Sequence, residues 1–163
     1  MTSADPAASL HETASASPPT GLPSLPDFLC FAIYAANLAI GRTYKPLLDG
    51  LGLTYPQYLV MTVLWSEGPQ TVGAVGQRLF LESSTLTPLL KRLETHGLVT
   101  RARDGRDERQ VVVRLTPSGE ALGERAKGVP GCIEQATGLD AEAFAKLRDE
   151  LHALRERLDA AHG

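Results

Sequence analysis

Residues 71–119, TVGAVGQRLFLESSTLTPLLKRLETHGLVTRARDGRDERQVVVRLTPSG, decide the fold, because their periodicity changes within the stretch. Thr71 to Phe80 reads as a short helix. After a brief turn, a second helix starts at Ser83 or Ser84 and runs to His96, where Gly97 closes it. Leu86, Leu89, Leu90 and Leu93 fall at i, i+3, i+4 and i+7, an inward-facing stripe. The period then drops to two. Leu98–Arg103 and Gln110–Thr116 read as strands, the second containing Val111-Val112-Val113, and the polar run Asp104–Arg109 turns the chain between them. Two helices across a short turn followed by a hairpin predict a winged helix-turn-helix.

Working outward, both flanks read as helix punctuated by caps. Ser24-Leu-Pro-Asp27 has the form of a capping box and predicts a long helix to about Leu48, bent at Pro46. From Phe28 to Ile40 that helix is apolar on more than one face, as expected of a helix buried between two subunits. Thr54-Tyr-Pro-Gln57 repeats the capping pattern and opens a helix to about Ser66. Beyond the hairpin, Thr116-Pro117 caps another helix, broken near Gly128-Val-Pro-Gly131. Asp140 caps a last one, whose Phe144, Leu147, Leu151, Leu154 and Leu158 form an a/d seam. The expected fold is mainly α with a small β-wing (α+β). Residues 1–23, rich in Pro, Ser, Thr and Ala, are expected to be a disordered arm. Residues 24–163 are expected to form one domain, with 24–53 and 117–163 as dimerisation helices and 54–116 as the winged lobe, its wing at 98–116.

Composition narrows the function. The chain has 163 residues, 43% apolar and 21% charged, with a mean hydropathy of −0.08. Its longest apolar run, Phe28–Ala36, is nine residues, against the roughly 20 a spanning helix requires. No membrane partner is expected. No signal or transit segment is read at the N-terminus, so a cytoplasmic protein with reduced thiols is expected. Two cysteines exclude a disulfide scaffold,. The four His (11, 96, 152, 162) have no metal-ligand spacing, so neither metal nor cofactor is expected. Net charge is −3, but Arg78–Arg114 holds eight basic and five acidic residues, a local excess of positive charge inside an acidic protein. Such a block is the electrostatic footprint of a nucleic-acid binder.

Away from its leucine stripe, the second helix presents Ser83, Ser84, Thr85, Thr87, Pro88, Lys91 and Arg92. Hydroxyls can bond phosphates or base edges, and Thr methyls and Pro can meet a thymine methyl. The two cations suit phosphates. The hairpin tip carries Arg103, Arg106 and Arg109 among acids that would hold them in defined rotamers, and arginine is drawn into narrow minor grooves. A solvated charged surface is the bland alternative, weakened here by the helix and the tip following one another directly.

A second group is chemical. All four tyrosines, Tyr34, Tyr44, Tyr55 and Tyr58, lie between positions 34 and 58, just after Cys30. Phenol O–H groups can donate to a thiolate and favour it, and a thiolate attacks peroxide oxygen. With the helix expected to begin after Ser24, Cys30 falls beyond its first turn. A helix N-terminus would then add little. Cys30 could equally be a small buried hydrophobe, and Tyr34 a core aromatic. No Lys, Arg or His stands within ten residues of Cys30, so a turnover thiol enzyme lacks its base.

The stretch LVTRARDGRDERQVVVRLTPSG, residues 98–119, resembles the wing of MarR-type regulators. LCFAIYAANLAIGRTYKPLLDGLGLTYPQYLVMTVLW and FLESSTLTPLLKRLE are similar to the organic-hydroperoxide-sensing OhrR branch. The resemblance covers roughly residues 28 to 158. It implies a homodimer on double-stranded DNA at an inverted-repeat operator, with the helix at 84–96 reading DNA and Arg106 entering the minor groove. It implies that Cys30 is the peroxide-reactive cysteine, that Tyr44 and Tyr55 reach its sulfur from the partner subunit, and that Tyr34 also lines the pocket. Phe28, Phe31, Ile33 and Met61 are further candidates for that pocket. In some members a second, C-terminal cysteine forms an inter-subunit disulfide, and whether Cys132 does so stays open. The expected function is a repressor released by organic hydroperoxide. The alternative is a MarR-type regulator released by a small phenolic ligand without cysteine chemistry.

Overall fold

Hydroxyl and charged side chains alternate with leucines at helical spacing from Ser83 onward, and the chain folds accordingly. In the computed structural model, which describes residues 22–105, 107 and 109–161, Ser83–Thr95 is a helix (α4) that buries Leu86, Leu90 and Leu93. The preceding elements are α1 (Leu29–Asp49), α2 (Tyr55–Glu67), β1 (Gln70–Thr71) and α3 (Val72–Leu79). The following ones are β2 (Val99–Arg103), β3 (Val111–Leu115), α5 (Pro117–Ala126), α6 (Val129–Thr137) and α7 (Ala141–Ala160). The described residues divide into two compact units on either side of the Asn37–Leu38 boundary. The expected arm, 1–23, lies outside the described residues apart from its last two, which are exposed.

The core of the larger unit is built by α2, α3, α4 and the sheet, with Val60, Met61, Val75, Leu90, Leu93 and Val113 essentially inaccessible. Met61 therefore lines no open pocket, contrary to expectation. The wing is wider than a hairpin. β1 pairs antiparallel with β3 (Gln70↔Val113, Thr71↔Val112), giving a three-stranded sheet in the order β1-β3-β2. Two residues carry no period for a sequence to display. It anchors the start of α3 to the wing, since Thr71 also caps that helix by accepting from the Ala74 amide at 3.1 Å.

The LTPSG motif has a packing cause. Thr116 caps α5 by accepting from the Gly119 amide (3.1 Å) and donates its hydroxyl to the Gly97 carbonyl (2.6 Å). A Cβ at Gly119 would stand 2.1 Å from the Leu98 carbonyl oxygen, so only glycine fits where α5 crosses the root of the wing. Trp65 of α2 closes the same junction, donating Nε1–H to the Gly119 carbonyl at 2.9 Å.

Two helix boundaries differ from expectation. The Ser24–Asp27 box exists, with the Ser24 amide and hydroxyl donating to the Asp27 carboxylate at 3.2 and 2.7 Å, but it caps only a single 3-10 turn, Leu25–Asp27. Phe28 is extended (φ −80°, ψ 119°), and α1 begins at Leu29. Downstream, the helix breaks at Lys127–Gly128, while Pro130 and Gly131 lie inside α6. Proline costs nothing in a first turn, where its missing amide has no intrahelical partner.

The remaining helices leave apolar surface open. Leu48 is the one buried residue of α1, α7 has none, and Leu147, Leu151 and Leu158 of the α7 seam are about half exposed. Among the described residues no helix is long and apolar enough to cross a membrane, and no cluster of His, Cys, Asp and Glu could hold a metal.

Candidate DNA-reading surface and thiol site

The face of α4 opposite its buried leucines carries Ser83, Ser84, Thr85, Thr87, Pro88, Lys91 and Arg92, and all seven are exposed. Glu82 occupies the N-cap position without a side-chain cap, so neither serine hydroxyl is spent on capping. Thr87, exposed, donates its hydroxyl to the Ser83 carbonyl at 2.7 Å. Pro88 has no amide to give, so the Ser84 carbonyl lacks its usual donor one turn on. The result is a polar, hydroxyl-rich first turn followed by two cations.

At the wing, Arg103 is exposed at the end of β2. Arg109 has a side chain 91% exposed and held from behind, with its amide 3.1 Å and its Nε 3.2 Å from Asp107 Oδ1. Those bonds, the backbone one first, hold the Asp107 carboxyl below its ordinary range. The expectation that wing acids orient wing arginines therefore holds for this pair. Arg106 lies outside the described residues.

Sequence reasoning missed the link between α4 and the wing. Glu94, in the last turn of α4, takes the Arg101 Nη2 at 2.6 Å, its Nε at 3.0 Å and its amide at 3.2 Å. The Arg101 side-chain bond lowers the Glu94 pKa from its usual value. One carboxylate thus clamps α4 to β2. The only hint in the sequence was an acid and a base seven residues apart across Gly97. Beside the clamp, a cavity of about 430 Å³ is lined by Thr71, Gly73, Thr87, Arg101, Arg109 and Gln110, bringing the start of α3, α4 and the wing around one groove.

In the single chain Cys30 is a free, exposed thiol. Because α1 begins at Leu29, Cys30 sits in the first turn. Cys30 thus lies one position into α1, not beyond its first turn. Tyr34, one turn further, is 57% exposed, with its ring 6.4 Å from that of Phe31. In the larger unit, the Tyr44 and Tyr55 rings pack tilted at 49°, 4.6 Å between centroids. Tyr58 continues the series 5.9 Å from Tyr44, and Trp65 lies 6.1 Å beyond Tyr58. Burial, then Tyr55 and Tyr58, push the Tyr44 pKa up to about 12, and burial and Tyr58 raise that of Tyr55. Both phenols stay protonated at neutral pH and are O–H donors. Cys132 is also free and exposed, in the first turn of α6 with its amide bonded to the Gly128 carbonyl at 3.2 Å.

The SarA/Rot family of transcriptional regulators matches residues 42–125. The organic hydroperoxide resistance transcriptional regulator of Bacillus subtilis is 44% identical over 134 residues, covering 82% of this chain and 91% of that one. This chain belongs to the MarR-type winged-helix transcriptional regulators, on the organic hydroperoxide regulator branch. The HTH-type transcriptional regulator TtmR of Methylorubrum extorquens is 49% identical over 140 residues, 86% of this chain and 72% of its own. Among solved structures, reduced AbfR bound to DNA superposes with a TM-score of 0.67 at 36% identity, over 82% of this chain and 94% of its own. The disulfide-formed state of AbfR gives 0.57, over 83% and 90%. These relatives are transcriptional regulators.

Proposed function

We propose that this regulator is a cytoplasmic repressor that binds an inverted-repeat operator on double-stranded DNA as a homodimer and releases it when an organic hydroperoxide oxidises Cys30. The observation that carries the reading is Cys30 itself, an exposed thiol in a helix first turn. Two protonated phenols, Tyr44 and Tyr55, supply the donors a thiolate needs, and the resemblance brings them from the partner subunit, with Tyr34 lining the same pocket. Dimerisation is supported by the open apolar surface of α1 and the unburied seam of α7. Contact with DNA rests on the seven exposed residues of α4, on Arg103 and Arg109, and on Arg106 by resemblance.

The chemistry balances without a cofactor. The Cys30 thiolate attacks the distal peroxide oxygen, the O–O bond breaks, and the alkoxide takes a proton and leaves as the alcohol. The cysteine becomes a sulfenic acid. A second thiol then displaces water and forms a disulfide. Cys132 of the partner subunit or a small thiol supplies it. Oxidation turns the two winged lobes, and because specific affinity needs both half-sites together, a shift of a few ångströms in their separation releases DNA.

Replacing Cys30 with serine tests this. The variant should bind a duplex selected by the wild type from a random pool and hold it in the presence of cumene hydroperoxide. Release of that duplex by the peroxide would overturn the sensor role. A second reading, release by a small phenolic ligand, is favoured by one observation. A cavity of about 400 Å³ lies against Tyr58, Thr62, Trp65, Gly123, Lys127 and Pro130. A saturable thermal shift with salicylate in the Cys30→Ser variant, paired with DNA release, would select it.

A further inference from the structure

Phe80 ends α3 in the left-handed region (φ 54°, ψ 40°), the only non-glycine residue with positive φ among those described. A bulky aromatic there is a genuine outlier and carries a backbone cost that glycine would not. Such outliers persist where the side chain is needed. Phe80 is 69% exposed, so the core does not account for it. What it touches is the far end of the chain, for the Arg155 guanidinium of α7 lies over the ring with Cζ 4.6 Å from the centroid.

The guanidinium is held in that pose. Its Nη1 donates to Asp159 Oδ2 at 2.7 Å and its Nη2 to Glu156 Oε1 at 3.3 Å, both on α7. Its Nε is buried with no hydrogen-bond partner among the described residues. A planar cation fixed at two corners and laid on a ring face is a cation–π contact. It joins two elements with different tasks, the turn between α3 and α4, directly ahead of the reading helix, and the helix whose leucine seam stays open.

We propose that Arg155 is a positioning residue, and that its stack on Phe80 latches α7 to the helix-turn-helix so that the helix docking a second copy also sets the attitude of the reading helix. The latch rests on the DNA-binding homodimer proposed above.

Phe80→Gly, Arg155→Met and the double variant test it. Glycine suits the backbone at position 80, so a purely structural role predicts equal or greater thermal stability. The latch predicts faster amide exchange in residues 150–160 of the Phe80→Gly homodimer, in a helix remote in sequence. It also predicts that each single variant weakens binding of the selected duplex by about two- to fivefold, the range of a solvent-accessible cation–π contact. The double variant should be no weaker than the worse single, and Phe80→Trp should restore the wild-type value. Unchanged exchange across 150–160 overturns the latch whether or not DNA is bound. So do single-variant losses that multiply in the double. A wild type that selects no duplex removes the DNA-binding reading instead, and the exchange result still judges the contact between α7 and the turn.

Discussion

Adding one methyl group at Gly119 should loosen the joint between the wing and α5. The new Cβ would lie 2.1 Å from the Leu98 carbonyl oxygen, where ordinary contact begins at 3.4 Å, so helix or peptide must retreat by more than an ångström. The retreat cannot be silent, because the Leu98 carbonyl accepts the Thr116 amide at 3.1 Å and Trp65 holds the Gly119 carbonyl at 2.9 Å. Overpacking costs about 1–3 kcal/mol and a weakened, partly buried hydrogen bond about 1 kcal/mol. Alanine's better helix propensity returns up to about 1 kcal/mol. The net loss is about 1–3 kcal/mol, which for a chain of this size lowers the melting temperature by about 3–10 °C. Thermal unfolding followed by circular dichroism measures it. Gly73→Ala in α3 is the control, since a Cβ there meets nothing within 4 Å and no loss is expected. A Gly119→Ala protein melting at or above the wild-type temperature would refute the argument for the junction.

Further outcomes are expected. Glu94→Gln should lower stability at neutral pH. A carboxyl held below its ordinary pKa stabilises the fold above its unfolded pKa and loses that contribution as pH falls through the folded one. The gap in melting temperature between wild type and Glu94→Gln should therefore shrink on acidification, and a gap that widens contradicts the Glu94–Arg101 clamp. Arg106→Ala should weaken binding of the selected duplex at fixed salt, measured by anisotropy, and an unchanged affinity removes that arginine from the interface. Cys132→Ser should abolish the covalent dimer on a non-reducing gel after hydroperoxide treatment. A dimer persisting in the variant assigns the second thiol elsewhere.

What the sequence made legible was local. The leucine stripe of α4, the Thr54–Gln57 box, Gly97 as helix terminator and the period-two runs each depend on a few neighbouring residues, and each appears in the fold. The exposed side chains of α4 followed from the stripe alone. The illegible features depend on distant partners. β1 is two residues long and exists because β3 offers an edge. The Ser24 box is genuine, yet an extended Phe28 separates it from α1, which moved Cys30 into a first turn. Pro130-Gly131 reads locally as a breaker, whereas proline at the front of a helix opens one,. The Glu94 clamp and the Phe80–Arg155 stack join residues whose spacing carries no periodic signal.

Intact-mass spectrometry on the same sample used for DNA binding weighs the sensor claim most directly. One equivalent of cumene hydroperoxide should oxidise Cys30 to its sulfenic acid or to a disulfide with the second thiol, and the oxidised fraction should match the fraction of duplex released. Duplex lost while Cys30 stays unmodified, or retained while Cys30 is fully oxidised, would contradict it.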